Sequence, residues 1–419
     1  MTERDKALDF REFHVDSIAL IGKDGVALDI RNLVQELVLR QDIVVGYMHG
    51  EMLILDAIDA FQQMDITGGE YVWIKLTSPF CNYEIARSFR VFKVTDRKVT
   101  KNDAQRYNIH IVSDEMYLSN LIKISKAYKG ESISTIAEDI ITNNLDCDKY
   151  TIDSTDKSHD IIIPNWRPTE ALNWLASRAV NGDKHTWLFY ENLDGLQFRC
   201  LYKLYEQPVV NDIPFIQETT SINKNLDRSK YAIDNLTFKR DFDIIRLSNA
   251  GGVATQFLGI DPVARTITVT ESSQRDMLKL HDKPYVPDVK LINGNNLYDN
   301  YEANRLAYIQ TPDNQAESWH KNIMSLAALY NNMCEVTVSG NMDIQAGSMV
   351  NVDFRIIRPM PEISDMNEVM SGAYFVSSVT HIFHMETNQF DTTFGMFRDS
   401  LPQYGVAPDM NIVEKAHKL

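Results

Sequence analysis

Cysteine is scarce in this chain, with four among 419 residues. Cys81, Cys147, Cys200 and Cys334 lie far apart and form no Cys-x-x-Cys pair. That spacing argues against a disulfide scaffold and a cysteine-rich zinc module, and buried free thiols are the expectation. Basic residues are also few: 42 Lys and Arg stand against 58 Asp and Glu, for a net charge of −16. Such a balance argues against a surface that grips nucleic acid through its phosphates. No apolar run approaches the roughly 20 residues that a helix needs to span a bilayer. The start, Met1-Thr2-Glu3-Arg4-Asp5-Lys6, is charged and has no apolar core behind it. The expectation is a chain without signal peptide or membrane anchor, made and folded in the cytoplasm. With 13 Pro and 18 Gly there is no low-complexity tract. The remaining composition is 44% hydrophobic and 24% charged, which is globular, and the length suits two to four domains.

Chemistry-bearing motifs are equally sparse. Gly68-Gly69 and Gly251-Gly252 are lone pairs, read as turns and not as phosphate cradles. His381 and His384 sit three apart in a strand-like segment, so they point to opposite faces, one buried and one exposed, and cannot share a metal. No nucleophile elbow and no zinc-protease helix is present. No catalytic residue, metal ligand or cofactor is assigned. The tryptophans Trp166, Trp174 and Trp187 read as core residues.

What the chain does contain is a repeat. Met64-Asp65-Ile66-Thr67-Gly68-Gly69-Glu70-Tyr71-Val72-Trp73-Ile74 aligns without a gap on Met342-Asp343-Ile344-Gln345-Ala346-Gly347-Ser348-Met349-Val350-Asn351-Val352. The offset is 278, and it grows to 285 for the second block, Phe89 to Thr95 against Tyr374 to Thr380. Both blocks alternate in hydrophobicity around a Gly turn, the mark of half-buried strands. Asp65 and Asp343 recur beside that turn and are assigned turn-capping roles. The expected fold class is α+β, mainly β, with two similar β-barrel-like (tube-type) domains and smaller peripheral α+β domains. The expected boundaries are 1–115 for the first tube-like domain, 116–208 for a peripheral domain, 209–250 with 312–400 for the second tube-like domain, 251–311 for a domain inserted into it, and 401–419 for a C-terminal tail. Within the peripheral region a helix is expected over 114–125, broken at Lys129-Gly130. A second helix, with Ser134 and Glu138 at capping positions, carries Ile133, Ile136, Ala137, Ile140 and Ile141 on one face. A third opens at Arg167-Pro168, and residues 187–201 read as a hairpin.

Several of these segments resemble the baseplate hub proteins of contractile-tailed phages. The resemblance rests on Asp56-Ala57, Ile66-Thr67-Gly68-Gly69-Glu70, Phe89-Arg90-Val91-Phe92-Lys93-Val94 and Tyr107-Asn108-Ile109-His110-Ile111-Val112-Ser113. It continues through Ala127-Tyr128-Lys129-Gly130-Glu131-Ser132-Ile133, the turn from Val338 to Gly347 and the strand from Ser371 to His381. It implies a homotrimer whose two barrels per chain build a pseudo-six-fold ring. That ring would join the hexameric tail tube protein to the trimeric central spike protein, touch other baseplate proteins and surround a channel through which DNA passes without specific binding. The place implied is the virion tail, after assembly in the host cytoplasm. Met64, Asp65, Ile66, Gly69 and Val72, with Met342, Asp343, Ile344, Gly347 and Val350, are then the ring-forming turn motif, and the C-terminal tail is a partner-docking segment. A spike trunk of a secretion system or the hub of a phage-tail-like bacteriocin shares these expectations apart from the DNA. A tail-associated cell-wall hydrolase working through paired carboxylates is the enzymatic alternative.

Overall fold

The computed structural model describes residues 10–100, 104–182, 184–217, 230–240, 243–249, 254–273, 284–285, 300–301, 304–309, 315–329, 332–355, 367, 370–398 and 401–402. The architecture is mainly β, with few helices. The first unit contains β1 (His14–Ile21), β2 (Ala27–Asp29), β3 (Val34–Asp42), β4 (His49–Asp56), β5 (Tyr71–Thr77), β6 (Ile85–Val99) and β7 (Gln105–Ser113). A single helical turn, α1 (Ala60–Gln63), precedes β5. The period-two pattern does what alternation dictates: Val72, Ile74 and Leu76 of β5 are fully buried while Trp73 between them faces out. Residues 30–33 make the turn between β2 and β3. The Asp29 carboxylate accepts a hydrogen bond from the Arg31 N–H there.

The peripheral region follows with α2 (Asp114–Leu121), β8 (Ile124–Ser132), α3 (Ile133–Asn143), β9 (Tyr150–Ile152), β10 (Ser158–Trp166), α4 (Pro168–Ala176), β11 (Trp187–Asn192), β12 (Gly195–Cys200) and α5 (Leu201–Tyr205). The expected helix over 114–125 stops at Leu121, and Lys129-Gly130 interrupts no helix. Of α2 only Ser119 is buried, so there is no apolar stripe to extend it. The chain turns into β8, where Gly130 at φ 68° sits in a break of the pairing with β10. The cap of α3 is Ser132 rather than Ser134: its hydroxyl accepts the Thr135 N–H at 3.1 Å, while the Ser134 hydroxyl accepts the Thr155 N–H. The buried face of α3 is the expected one, Ile133, Ile136, Ala137, Ile140 and Ile141, and it packs with Leu172 and Leu175 of α4 in one cluster.

The second unit begins with β13 (Phe215–Gln217) and β14 (Ala232–Arg240). A small sheet of β15 (Thr255–Asp261), β16 (Thr266–Ser272) and β18 (Arg305–Ile309) intervenes, with the two-residue β17 (Pro284–Tyr285) between the last two. A helix, Gln315–Leu329, leads back to β19 (Asn332–Ser339), β20 (Met349–Asp353), β21 (Gly372–His384) and β22 (Gln389–Arg398), with β23 (Leu401–Pro402) beyond. No helix among the described residues is long and apolar enough to cross a membrane. The expected tail falls outside the described residues from 403 onward, as does most of 281–300 within the expected inserted domain.

Both units belong to one sheet, ordered β2-β1-β5-β6-β7-β4-β3-β21-β20-β13-β14-β19-β22. Because β21 also pairs with β22, the last six strands close into a barrel. Strand pairing repeats between the units over most of the frame, apart from one further bulge in β6, between Thr95 and Lys98, and one in β14, between Phe238 and Arg240. Tyr71 lies opposite Arg90 and Ile74 opposite Arg87, and at the two offsets Met349 lies opposite Phe375 and Val352 opposite Gly372. Val91 faces Ile111 as Val376 faces Met396, and each pair is followed by a bulge, at Phe92 and at Ser377. The bulge between Val34 and Glu36 of β3 has its match between Ile233 and Asn235 of β14. The frame β3-β4-β7-β6-β5 is therefore built twice, as β14-β19-β22-β21-β20. What differs is the next strand: β1 is antiparallel to β5, whereas β13 is parallel to both β20 and β14.

Candidate functional site

The duplicated turn is constructed identically in both units. The Gly69 N–H donates to the Val91 carbonyl at 2.7 Å, and the Val91 N–H donates back to Glu70 at 2.9 Å. In the second copy the Gly347 N–H donates to Val376 and the Val376 N–H to Ser348, each at 2.9 Å. Gly69 has φ 93° and Gly347 φ 88°, in the region that favours glycine. Each presents its bare face to a tyrosine hydroxyl, Tyr117 for Gly69 and Tyr190 for Gly347.

Around this shared backbone the side chains diverge. Met64 caps the end of α1 and packs on the first core, Asp65 is exposed at φ 43°, and Ile66 and Val72 are buried in that core. In the second copy Met342 reaches into the first unit's core, while Ile344 and Val350 lie in the second's. The second turn thus bridges the two cores, and the first does not. Asp343 caps a turn, though not its own: its carboxylate accepts the Asn82 N–H at 2.7 Å and the Tyr83 N–H at 2.9 Å, in the loop joining β5 to β6. At the first turn it is Glu70, and not Asp65, whose carboxylate takes the Gly68 and Thr67 N–H groups, at 3.0 Å. Burial pulls the Glu70 carboxyl upward, but those N–H groups and Lys23 together hold it below its ordinary range.

The two units and the peripheral region meet beside the second turn. Ile43, Leu188, Tyr190, Leu204, Ala346, Met349, Phe375 and Phe397 form one apolar cluster there. A cleft of about 330 Å³ opens alongside, walled by Asn82, Tyr83, Asp194, Arg199, Asp343 and Gln345 among others. No residue of the first-copy motif lines it. A buried ion pair ties β6 to β11: Arg87 contacts Glu191, and its guanidinium also donates to the Asn192 carbonyl at 2.7 Å. Burial pushes the Glu191 carboxyl up to about 7, against the pull of Arg87. Tyr117, Tyr190, Glu70, Arg87 and Glu191 were not singled out in sequence. Glu70, directly after two glycines, carried the one local signal.

His381 is fully buried, with Nδ1 at 3.0 Å from the Thr392 hydroxyl, and His384 on the other face pairs with Glu36 at 3.4 Å. Among the described residues no three His, Cys, Asp or Glu side chains cluster as a metal site would need. The four cysteines are free, three buried and Cys81 half-buried.

No family model matches the sequence, and no curated protein matches it. Solved structures share the fold. A tail protein from Neisseria meningitidis MC58 superposes with a TM-score of 0.57 at 12% identity, over 93% of this chain and 97% of that one. The 43 kDa tail protein of prophage MuSo2 from Shewanella oneidensis gives 0.55 at 11% identity, over 92% and 99%. A chain of a Francisella PdpA-VgrG complex reaches 0.48 at 10% identity, over 95% of this chain and 54% of that one, too distant to argue from. The chain has the fold of these tail proteins, as the hub resemblance implied.

Proposed function

We propose that this chain is the central hub of a contractile phage tail baseplate. In this reading three copies form a ring of six similar barrel units. The ring joins the hexameric tail tube to the trimeric central spike, contacts other baseplate proteins and leaves a channel through which DNA passes unbound. The place of action is the virion tail. The observation that carries the reading is the frame built twice in one chain with the same strand order, matching register and two shared bulges. A chain with two equivalent units is the simplest way to match a three-fold partner on one side and a six-fold partner on the other. The net charge of −16 suits a lumen that does not hold DNA. The tube fold shared with tail proteins adds support, and no chemical step is required of the protein. Met64 to Val72 and Met342 to Val350 are assigned to the ring wall, and the segment 401–419 to partner docking.

The test is the solution mass by light scattering, alone and with the candidate spike protein. Three chains, about 144 kDa from three times 48.0 kDa, are expected. A chain that stays monomeric with the spike present would end the ring reading.

A further inference from the structure

The two barrel frames use their outer strand edges unequally. Within the chain, residues 36–42 of β3 pair antiparallel with residues 378–384 of β21. By the register above, β3 corresponds to β14 and β21 to β6. On the edge of β6 that corresponds, β5 covers only residues 85–90. On the corresponding edge of β14, β13 covers only Ala232 and Ile233. Among the described residues no strand pairs with the remainder of either edge. Exposure singles out the same edges. Val99 of β6 is 75% exposed where its counterpart Phe383 is 0%, and Phe238 of β14 is 38% exposed where its counterpart Leu39 is 1%. Phe92, at the bulge of β6, is also exposed, whereas its counterpart Ser377 is buried.

We propose that β14 of one copy pairs antiparallel with β6 of the next copy, in the register that β3 and β21 use within the chain. This rests on the ring reading and adds to it the strands and the register that join one copy to its neighbour. Thr380 lies opposite Arg40, and Arg40 pairs with His49 as Arg240 pairs with Met333, so Thr95 comes opposite Arg240. β6 carries one extra residue between Thr95 and Lys98, and β14 carries one between Phe238 and Arg240. Past both, Lys98 comes opposite Thr237 and Val99 opposite Leu236, two apolar side chains meeting as Phe383 and Leu37 do inside the chain. Each unit is then joined to the next by the same kind of strand pair, alternately within and between chains, and both free edges disappear. Unpaired edges template indiscriminate pairing unless charge guards them, and Lys93, Arg97 and Lys98 do so in the free chain.

The experiment pairs Thr95→Cys with Arg240→Cys in the full chain, under mild oxidation, read on a non-reducing gel. Opposed residues of an antiparallel pair have Cα atoms roughly 4.5–5.5 Å apart, within disulfide reach. Thr95→Cys with Asn235→Cys is the control, displaced by five residues or roughly 16 Å. The first variant is expected to shift from 48.0 kDa to about 96 and 144 kDa, while the control, each single substitution and the wild type stay at one chain. A ladder past three chains would uphold the strand pairing and overturn the closed ring of three. Trimers by light scattering that fail to link at this pair, or link equally in the control, would overturn the pairing and leave the ring reading standing. Monomers throughout would overturn both.

Discussion

Adding a single methyl group to each of the two matching glycines separates their environments. At Gly347 a Cβ would lie 2.1 Å from the Tyr190 Oη, 2.6 Å from its Cζ and 2.9 Å from its Cε2. At Gly69 it would lie 2.8 Å from the Tyr117 Oη and 3.6 Å from its Cζ. Both positions carry backbone strain for any L-residue, about 1–3 kcal/mol. Tyr190 is 1% exposed and packed inside the junction cluster, with only the adjoining cleft to yield into. Overpacking there adds about 1–3 kcal/mol, so Gly347→Ala is expected to cost about 2–6 kcal/mol, much of a domain's stability. Tyr117 lies on the poorly buried α2 and yields by a small rotation, so Gly69→Ala is expected to cost the strain alone. The partner substitutions sharpen the distinction. Tyr117→Phe removes the one close atom at Gly69, and Gly69→Ala on that background keeps only the strain. Tyr190→Phe leaves Cζ at 2.6 Å, so it rescues Gly347→Ala only in part. Gly69→Val and Gly347→Val should go further, impairing folding or ring assembly. The assay is urea unfolding followed by tryptophan fluorescence, comparing the first transition of each single and double variant. Equal losses at the two glycines, or full rescue of Gly347→Ala by Tyr190→Phe, would refute the reasoning.

Burial pushes the His381 imidazole down to about 4, while an unfolded histidine titrates near 6.5. Between those values the unfolded chain binds more protons, so stability is expected to fall as pH drops from about 6.5 towards 4 and to stay flat above. Relative to pH 7, the wild type should lose about 2 kcal/mol more than His381→Gln by pH 5, read from denaturation midpoints at both pH values; parallel profiles would show that this histidine carries none of it. Asp343→Ala strips the cap from Asn82 and Tyr83 and is expected to cost about 1–3 kcal/mol, by the usual worth of hydrogen bonds to a charged group. Amide exchange at those two residues should quicken with the rest of the first unit unchanged, and unaltered protection would show that the cap holds nothing.

Local periodicity carried the strands of the frame, because alternation and a Gly turn are written in adjacent residues. It carried α3 and α4 for the same reason: a four-isoleucine face in one and Pro168 at the first turn of the other. Contacts across the chain left no such trace. Nothing near Gly347 announces Tyr190, and nothing near Asp343 announces Asn82, more than 250 positions away. β13 is three residues long and pairs in parallel with two strands, so no pattern of its own reveals that it completes the second barrel. The misplaced end of α2 has a different origin. Residues 122–132 are polar and interrupted by a bulge, which blurs the period of two that would have marked β8.

Apart from the next strand and one added bulge in each unit, the differences between the copies lie in connections, which leaves the frame common to both. β3 and β4 are joined by the short turn 43–48, whereas β14 and β19 are separated by residues 241–331. The loop after β5 is short and is held by Asp343, whereas that after β20 runs from Phe354 to Ser371. Residues 114–214, with α2 to α5, follow β7 in the first unit. An insertion in a connection leaves every ladder hydrogen bond intact, so register and bulges persist while the outer surface changes. Strand edges alone are then conserved between units, and they are the parts that a repeated side-to-side contact can use. The one edge pairing the chain makes internally, β3 with β21, is consequently also the template for the contact it lacks partners to make alone.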